Sequence, residues 1–141
     1  MDRGIMSMND TNVIKLDIKK KSRNEAKDYS IYIAGPMTGI EHFNFPAFDK
    51  ARDMLAGLGY SLIYSPPDVD RAFLEKAVDW VPERDDDALK DISYRVVFGN
   101  SCKWLIDNAD GVYMLRGWEE SRGARAEHCI ACALGLEIIY E

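Results

Sequence analysis

The chain has 141 residues, of which 47% are hydrophobic and 30% are charged, and this composition suits one compact domain with one core. Its formal net charge of −6 argues against a broad nucleic-acid-binding surface, although local N–H groups and arginines can still hold a small anion such as a nucleotide. No apolar run approaches the length of a membrane span and no signal-peptide pattern opens the chain, so we expect a cytoplasmic protein without a membrane partner.

The cysteines and histidines indicate neither a disulfide framework nor a metal site. Cys129 and Cys132 form a C-x-x-C motif, but the motif lies inside a predicted helix rather than at a helix N-terminus, where a redox thiolate would be stabilised. We therefore expect both thiols to pack in the core. The two histidines are too scattered to complete a zinc site, so we expect neither a metal nor another cofactor.

Residues 1–29 predict a mobile leader, because they combine lysines, polar residues and methionines without a clear period. Val13, Leu16 and Ile18 are spaced for a short edge strand inside this leader. Residues 30–141 predict a single domain.

From Ser30 onward, predicted strands and helices alternate. Their order is a strand at 31–34, a turn at 35–39, a helix at 48–58, a strand at 60–64, an irregular or lid-like segment at 68–87, a helix at 88–108 interrupted near Gly99, a strand at 110–115, a helix at 121–134 and a strand at 136–140. The alternation predicts an α/β fold, a Rossmann-like or flavodoxin-like three-layer sandwich with a central parallel sheet of four to five strands. Ligands bind beyond the carboxyl ends of such strands, where the loops at 35–44, 65–70 and 116–121 are expected to gather.

The strongest site signal lies at the start of the helix at 121–134. Ser121 is a good N-cap residue, and its hydroxyl would join the free N–H groups of Gly123 and Ala124 in an anion site. Gly123 has no side chain to block this approach. Glu127 lies four residues beyond Gly123, about 6 Å along the axis at a rise of roughly 1.5 Å per residue, so one nucleotide can contact both.

Two interpretations of Glu127 compete. Most glutamates on helices are solvated. This one shares a stripe with Ala124, Ala131 and Leu134, and its offset from Ser121 does not suit a capping box. A carboxylate beside apolar residues without a capping role is a candidate for a functional site.

Three motifs carry a resemblance to a known family: IYIAGPMTG at residues 31–39, NFPAF at 44–48, and GWE followed by S-x-G-A-x-x-E at 117–127. Through them, residues 30–141 resemble an uncharacterised family of small phage and bacterial proteins (DUF4406-like). That family is similar to nucleoside 2-deoxyribosyltransferases and 2′-deoxynucleoside 5′-phosphate N-hydrolases. The resemblance implies a nucleoside 2-deoxyribosyltransferase-like fold for this domain and a nucleotide as its small-molecule ligand.

The resemblance also implies roles for particular residues. A Glu attacks the anomeric carbon in the resembled enzymes and a Tyr in the first strand holds it, and Glu127 and Tyr32 match these two positions. Six residues before the Glu, transferases of free nucleosides have an Asp, whereas the monophosphate hydrolases have a Ser that receives the phosphate. Ser121 therefore implies a nucleoside monophosphate, and Thr38 and Gly39 match a loop that also contacts phosphate. The remaining expected substrate contacts are Gly35, Met37, Asn44, Asp68, Trp118 and Gly123.

Some of these assignments leave alternatives open. Trp118 either stacks on the base or caps the core. Arg122 and Arg125 either assist the phosphate or face solvent.

One position departs from the resembled hydrolases. They carry an Asp in the helix before the third strand, where it helps catalysis near the leaving base, and Ser101 stands at the comparable position. A general acid must protonate the departing base. Asp107, Asp91 and Asp68 are the candidates to replace the missing carboxyl.

The implied function is that of a nucleotide N-glycosidase, a 2′-deoxynucleoside 5′-monophosphate N-hydrolase or deoxyribosyltransferase, in which Glu127 forms a glycosyl-enzyme ester. The alternative, motivated by Ser101, is a protein that binds a nucleotide or ribosyl nucleotide without cleaving it. A third hypothesis is a structural or inhibitory protein that contacts its partner through residues 1–29. Because the resembled enzymes build their sites at subunit interfaces, we expect a homodimer or larger homo-oligomer. The aromatic residues considered for that contact are Phe43, Phe45 and Trp80, and the alternative is that they are core residues.

Overall fold

The computed structural model describes residues 23–75 and 94–141. The helices in this part of the chain are α1 (Arg23–Lys27), α2 (Phe45–Gly57), α3 (Pro66–Glu75), α4 (Tyr94–Asn108) and α5 (Arg122–Leu134), with short 3₁₀ helices at Glu41–Asn44 and Trp118–Glu120. The strands are β1 (Ser30–Ala34), β2 (Leu62–Tyr64), β3 (Gly111–Met114) and β4 (Glu137–Tyr140).

The four strands form one parallel sheet in the order β2-β1-β3-β4. In the centre of the sheet, Tyr32 of β1 is level with Tyr64 of β2 and Val112 of β3. β2 lies on one side of β1, and the next strand in the chain, β3, lies on the other side. Such a reversal of strand order leaves a crevice at the carboxyl ends of the two strands. The predicted α/β, Rossmann-like arrangement with a parallel sheet of four to five strands is confirmed, and the sheet has four strands in the described part of the chain.

Each face of the sheet carries its own core cluster, because alternate strand residues point to opposite faces. On one face, Ile31 of β1 packs in a cluster with Leu55 of α2. On the other face, Tyr32 packs in a cluster with Leu105 of α4 and Ala124 of α5. Helices therefore cover both faces of the sheet, which gives the predicted three layers.

The boundaries of α5 agree with the prediction. Ser121 has an extended backbone and caps the start, and Gly135 ends the helix with a φ of 67°. A positive φ is unfavourable for residues with a Cβ, and this explains the glycine at that end.

Three element predictions are wrong. The second strand covers Leu62–Tyr64 rather than 60–64. The segment predicted as irregular begins as a regular helix, because Pro66 and Pro67 lie in the first turn of α3, where a missing N–H costs no intrahelical hydrogen bond. α4 runs through Gly99 without interruption, since a single glycine costs only about 1 kcal/mol in a helix. Residues 76–93 lie outside the described part of the chain.

The described fold also includes α1, a short helix that lies within residues 1–29, the segment predicted as a mobile leader. Ala26 of α1 is buried in the first core cluster. Val13, Leu16 and Ile18 lie outside the described residues. Among the helices that the structure describes, none is both long enough and apolar enough to cross a membrane.

The expected environment of the cysteines is also wrong, whereas Phe45 takes the second of its two expected environments, that of a core residue. Cys129 and Cys132 are exposed rather than packed in the core, because other residues of α5 form its buried face. Phe45 is only 2% exposed, with the guanidinium of Arg71 lying 4.9 Å from its ring centroid, so it does not offer an exposed contact. Trp80 lies outside the described residues.

Candidate active site

A cavity of about 650 Å³ opens at the carboxyl edge of the sheet, and this volume is typical of small-molecule sites. Its walls come from the loop after β1, the start of α3, one face of α4 and the start of α5. It therefore occupies the crevice at which the strand order reverses. Gly35 lets the ends of β1 and β3 approach each other, because a Cβ at this position would lie 2.7 Å from the Cβ of Leu115.

The start of α5 contributes hydrogen-bond donors to the cavity. The Oγ of Ser121 accepts the N–H of Ala124 at 3.2 Å. The N–H of Ala124 is therefore occupied, which corrects the sequence prediction. The groups without an intrahelical acceptor are the N–H groups of Arg122 and Gly123, and both residues line the cavity. These donors and the Ser121 hydroxyl suit an anion.

Two charged side chains flank this anion site. Arg122 and Glu120 line the cavity, and both are exposed, so solvent screens their opposite effects on an anion. Arg125 is also exposed but does not line the cavity. Of the two arginines considered for the phosphate, only Arg122 is placed to contact a ligand in this cavity.

Glu127 lines the cavity from the buried side of α5. It is only 7% exposed, and Ala124 and Ala131 on the same stripe are buried with it, whereas Leu134 is exposed. The hydroxyl of Tyr32 donates a hydrogen bond to Glu127 Oε2. Burial raises the pKa of Glu127 to about 7, and the hydrogen bond from Tyr32 opposes this rise. Glu127 is thus not a solvated glutamate, and its carboxyl changes protonation state near neutral pH.

An aromatic cluster holds Tyr32 in place. Its ring stacks on that of Tyr64, with centroids 5.1 Å apart, and Trp104 of α4 lies 6.2 Å and 4.8 Å from the two ring centroids. Ser101 is buried and shares a hydrogen bond of 3.1 Å with the Tyr64 hydroxyl. Burial raises the pKa of Tyr32 well above its usual value, so this phenol stays protonated and donates to Glu127.

Asp70 is a second buried carboxyl in the cavity wall, and the sequence analysis did not identify it. It lies in α3 and is 7% exposed. Burial raises its pKa to about 6, and the nearby Arg71 opposes this rise. The sequence analysis only expected the loop at 65–70 to lie at the carboxyl ends of the strands, and because it predicted no helix there it did not single out Asp70.

The carboxyls that were considered for the missing acid lie elsewhere. Asp68 forms ion pairs with Arg52 and Arg71 and does not line the cavity. Asp107 forms an ion pair of 2.6 Å with a lysine one turn away on α4. Asp91 lies outside the described residues.

One face of α4 forms an aromatic wall of the cavity, which the sequence analysis also did not identify. Tyr94 and Phe98 line the cavity with their rings stacked and their centroids 5.4 Å apart. Their spacing of four residues places them on one helix face together with Ser101. Gly123 lets α5 approach this wall, because a Cβ there would lie 3.0 Å from the Tyr94 hydroxyl oxygen.

Most of the predicted site residues meet at this cavity. Those that line it are Tyr32, Gly35, Met37, Thr38, Ser121, Gly123 and Glu127. Those outside its wall are Gly39, Asn44, Asp68 and Trp118. Trp118 stacks on His128 with ring centroids 4.3 Å apart and packs against the second core cluster. This placement corresponds to the core-capping interpretation of Trp118.

Asn44 supports the site indirectly. Its Nδ2 donates to the carbonyl of Pro36 at 2.9 Å, which ties the end of a turn to the loop after β1. His42, Phe43 and Asn44 all have positive φ values between 51° and 60°. Such backbone is costly for residues with a Cβ, so the hydrogen bond from Asn44 helps to hold an otherwise unfavourable turn beside the cavity.

In residues 23–75 and 94–141, no group of three or more His, Cys, Asp or Glu side chains is placed to hold a metal ion. The hydrogen-bond donors of the cavity are instead hydroxyls and the backbone N–H groups at the start of α5. They suit an organic anion that is bound by hydrogen bonds.

Comparisons with known proteins identify a family for most of the chain. Neither the curated proteins nor the solved structures contain a match. Residues 29–140 match the family described as Domain of unknown function (DUF4406). This match covers β1 to β4 and every described wall of the cavity. The chain therefore belongs to the DUF4406 family.

Proposed function

We propose that this protein cleaves the bond between base and sugar in a 2′-deoxynucleoside 5′-monophosphate, as an N-hydrolase or a deoxyribosyltransferase, with Glu127 as nucleophile. The placement of this carboxyl carries the proposal, because it is buried, lines a cavity of suitable size and accepts a hydrogen bond from Tyr32. Within the described residues no Lys or Arg forms an ion pair with it. A buried carboxyl without such a partner costs free energy, and a catalytic role explains why it is retained.

The start of α5 suits the 5′-phosphate of this substrate. The Ser121 hydroxyl and the N–H groups of Arg122 and Gly123 are donors at a helix N-terminus, where an anion is stabilised. Thr38 supplies a second hydroxyl from the loop after β1. Glu127 lies about 6 Å along the helix axis from Gly123, which is close to the separation between the phosphate and the anomeric carbon of a nucleotide.

The aromatic wall suits the base. Tyr94 and Phe98 offer stacked rings at the cavity, and stacking of a nucleobase on an aromatic side chain is worth about 1–3 kcal/mol. In this arrangement the base lies against α4 rather than against Trp118, which lies outside the cavity.

The resemblance to nucleoside 2-deoxyribosyltransferases supports the same assignment and a fold of that type. It implies that a Tyr on the first strand holds a Glu in a G-x-x-x-E stretch, and in this chain Tyr32 on β1 donates a hydrogen bond to Glu127 on α5.

The proposed reaction proceeds by double displacement. An ionised Glu127 attacks the anomeric carbon, the bond to the base breaks, and a glycosyl-enzyme ester forms through an oxocarbenium-like transition state. Water then releases the sugar phosphate, or a second base accepts the sugar. Tyr32 holds the carboxylate for attack through its hydrogen bond.

Product analysis tests this proposal. The four common 2′-deoxynucleoside 5′-monophosphates are incubated with wild-type protein and with a Glu127→Gln variant, and free base is measured by liquid chromatography. We expect base release by the wild type and a loss of at least about a thousandfold in the variant, as is found when a covalent nucleophile is removed. Glu119→Gln is the matched control, since Glu119 is exposed and does not line the cavity.

The proposal is wrong if the wild-type protein releases no base from any of these nucleotides. It is also wrong if Glu127→Gln keeps full activity while circular dichroism shows that it is folded. A Glu119→Gln variant as inactive as Glu127→Gln would assign the loss to a general effect of removing an acidic side chain.

A second candidate function is nucleotide binding without cleavage. The observation that favours it is Ser101, which stands where the resembled hydrolases have an Asp and is hydrogen-bonded to Tyr64. In this case a deoxynucleotide raises the melting temperature of the protein and is recovered intact. Base release by the wild type would exclude this alternative.

A further inference from the structure

The cavity contains a second carboxyl that the proposed role of Glu127 does not use. Asp70 reaches the cavity from α3, whereas Glu127 reaches it from α5. Within the described residues, the Asp70 carboxyl forms neither a hydrogen bond nor an ion pair. The adjacent Arg71 is engaged elsewhere, because its guanidinium donates to both carboxylate oxygens of Asp49 at 2.8 Å and 2.7 Å. In the described part of the chain, Asp70 is therefore a buried acid without a hydrogen-bond or ion-pair partner.

Cleavage of the base–sugar bond requires a general acid that protonates the departing base. The departing base takes the electron pair of the broken bond, and a positioned acid typically accelerates this kind of step by about 10²–10⁴-fold. Ser101 does not meet the need, since an alcohol is a weak acid and its hydroxyl is paired with Tyr64. Asp68 and Asp107 are ion-paired away from the cavity.

The phenols of the cluster are also poor acids. Burial raises the pKa of Tyr32 well above its usual value, and burial likewise raises the pKa of Tyr64. The carboxylates of Asp70 and Glu127 add to the rise at Tyr64, so this ring lies within electrostatic range of both. Both carboxyls also line the same cavity.

The geometry points to Asp70 as the general acid that protonates the departing nucleobase, an inference that rests on the function proposed above. In the first step, Glu127 forms an ester bond to the anomeric carbon, the carbon–nitrogen bond breaks with its electron pair on the base, and Asp70 gives its proton to the base. In the second step, water attacks the anomeric carbon, Asp70 takes a proton from the water, and the ester bond breaks with its electron pair on Glu127. Both carboxyls then regain their starting states.

The electrostatic setting of Asp70 agrees with this role. Burial raises the pKa of the carboxyl to about 6 and that of Glu127 to about 7, so the molecules that combine a protonated Asp70 with an ionised Glu127 are a minority that is largest between about pH 6 and pH 7. A solvated aspartic acid, with a pKa of about 3.9, would be almost fully ionised there.

The test compares leaving groups that differ in their need for a proton. The substrates are the four common 2′-deoxynucleoside 5′-monophosphates and 4-nitrophenyl 2-deoxyribofuranoside 5-phosphate, whose nitrophenolate departs without protonation. First-turnover rates are measured, because Asp70 also acts in the second step and its loss slows that step for both kinds of substrate. We expect Asp70→Asn to slow base release by about 10²–10⁴-fold and to leave the first turnover of the nitrophenyl substrate nearly unchanged.

Chemical rescue by azide distinguishes a catalytic Asp70 from a purely structural one, because azide would not restore the rate of a variant with a damaged structure. Azide attacks the anomeric carbon without losing a proton, so it accelerates the second step in Asp70→Asn and yields a glycosyl azide. Asp53→Asn is the matched control, since it removes one acidic side chain from an exposed position on α2. This control is expected to behave as the wild type with both substrates.

The outcomes separate this inference from the proposed function. If Asp70→Asn slows both kinds of substrate equally, or slows neither, Asp70 is not the acid although the reaction itself stands. An Asp68→Asn variant that reproduces the leaving-group effect would likewise overturn the assignment. If the wild-type protein releases neither base nor nitrophenolate, the proposed function fails and this inference fails with it.

Discussion

Glu127 occupies a position that an apolar residue would fill at lower cost. Ala124 and Ala131, on the same stripe of α5, are buried, and replacing a buried charged group with a well-packed apolar residue is often neutral or stabilising. Residues that lower the stability of a protein without making a compensating contact are found mainly at functional sites. The carboxyl of Glu127 is therefore better explained by chemistry in the cavity than by the stability of the fold.

The two arginines at the start of α5 give a prediction at the scale of single residues. Arg122 lines the cavity and Arg125 does not. We expect Arg122→Ala to weaken binding of a 2′-deoxynucleoside 5′-monophosphate about fivefold, because an exposed ionic contact is worth up to about 1 kcal/mol. Isothermal titration calorimetry measures this effect.

The control for this prediction uses both a residue and a ligand. Arg125→Ala should bind the nucleotide as the wild type does, and Arg122→Ala should bind the corresponding deoxynucleoside, which lacks the phosphate, without loss. Equal weakening for nucleotide and nucleoside would show that Arg122 does not contact the phosphate.

At the scale of elements, the close approach of β1 and β3 sets the shape of the cavity. Gly35 allows it, because a Cβ there would lie 2.7 Å from the Cβ and 2.8 Å from the Cδ1 of the buried Leu115. We expect Gly35→Ala to lower the free energy of unfolding by about 1–3 kcal/mol, the usual cost of overpacking a core. Urea denaturation followed by circular dichroism checks this value.

Gly99 offers the matched control for Gly35. It lies inside α4, and no atom would come within 4 Å of an added Cβ. Gly99→Ala should therefore raise the free energy of unfolding by up to about 1 kcal/mol, because alanine is the better helix former. A Gly35→Ala variant as stable as the wild type would contradict the close contact at the strand ends.

At the scale of the whole molecule, the fold buries two carboxyls at one edge of its sheet, and this makes its stability depend on pH. Burial raises the pKa of Glu127 from 4.5 to about 7 and that of Asp70 from 3.8 to about 6. Between the unfolded and folded pKa values of each carboxyl, the folded protein binds more protons than the unfolded chain. The stability that the two protonated carboxyls contribute is therefore full below about pH 4 and is lost as the pH rises through about 6 for Asp70 and about 7 for Glu127.

We expect the free energy of unfolding to fall between pH 5 and pH 8. The fall attributable to these groups should be of the order of kcal/mol, since each unit of pKa difference corresponds to about 1.4 kcal/mol. Urea denaturation at the two pH values measures it, and a Glu127→Gln, Asp70→Asn double variant is the reference. An equal fall in the wild type and the double variant would show that neither carboxyl has a raised pKa in the folded state.

Three of the predicted site residues that line the cavity share one property. Ser121, Gly123 and Glu127 lie within seven positions of one helix, and the regular geometry of a helix relates them to one another. Tyr32 was assigned by its resemblance to known enzymes rather than by local geometry. The α4 wall was missed because a pair of aromatic residues on a helix face fits a core or a ligand site equally well.

The sequence by itself determined the alternation of strands and helices and both ends of α5, because these depend on hydrophobic period and on the backbone preferences of a capping serine and a terminal glycine. Only the tertiary structure decided that Asp70 faces the cavity while Asp68 pairs with arginines. The two aspartates differ by two positions on one helix, and which of them faces the ligand depends on how α3 packs against the sheet. That packing is set by contacts between residues far apart in the chain, which no local pattern specifies.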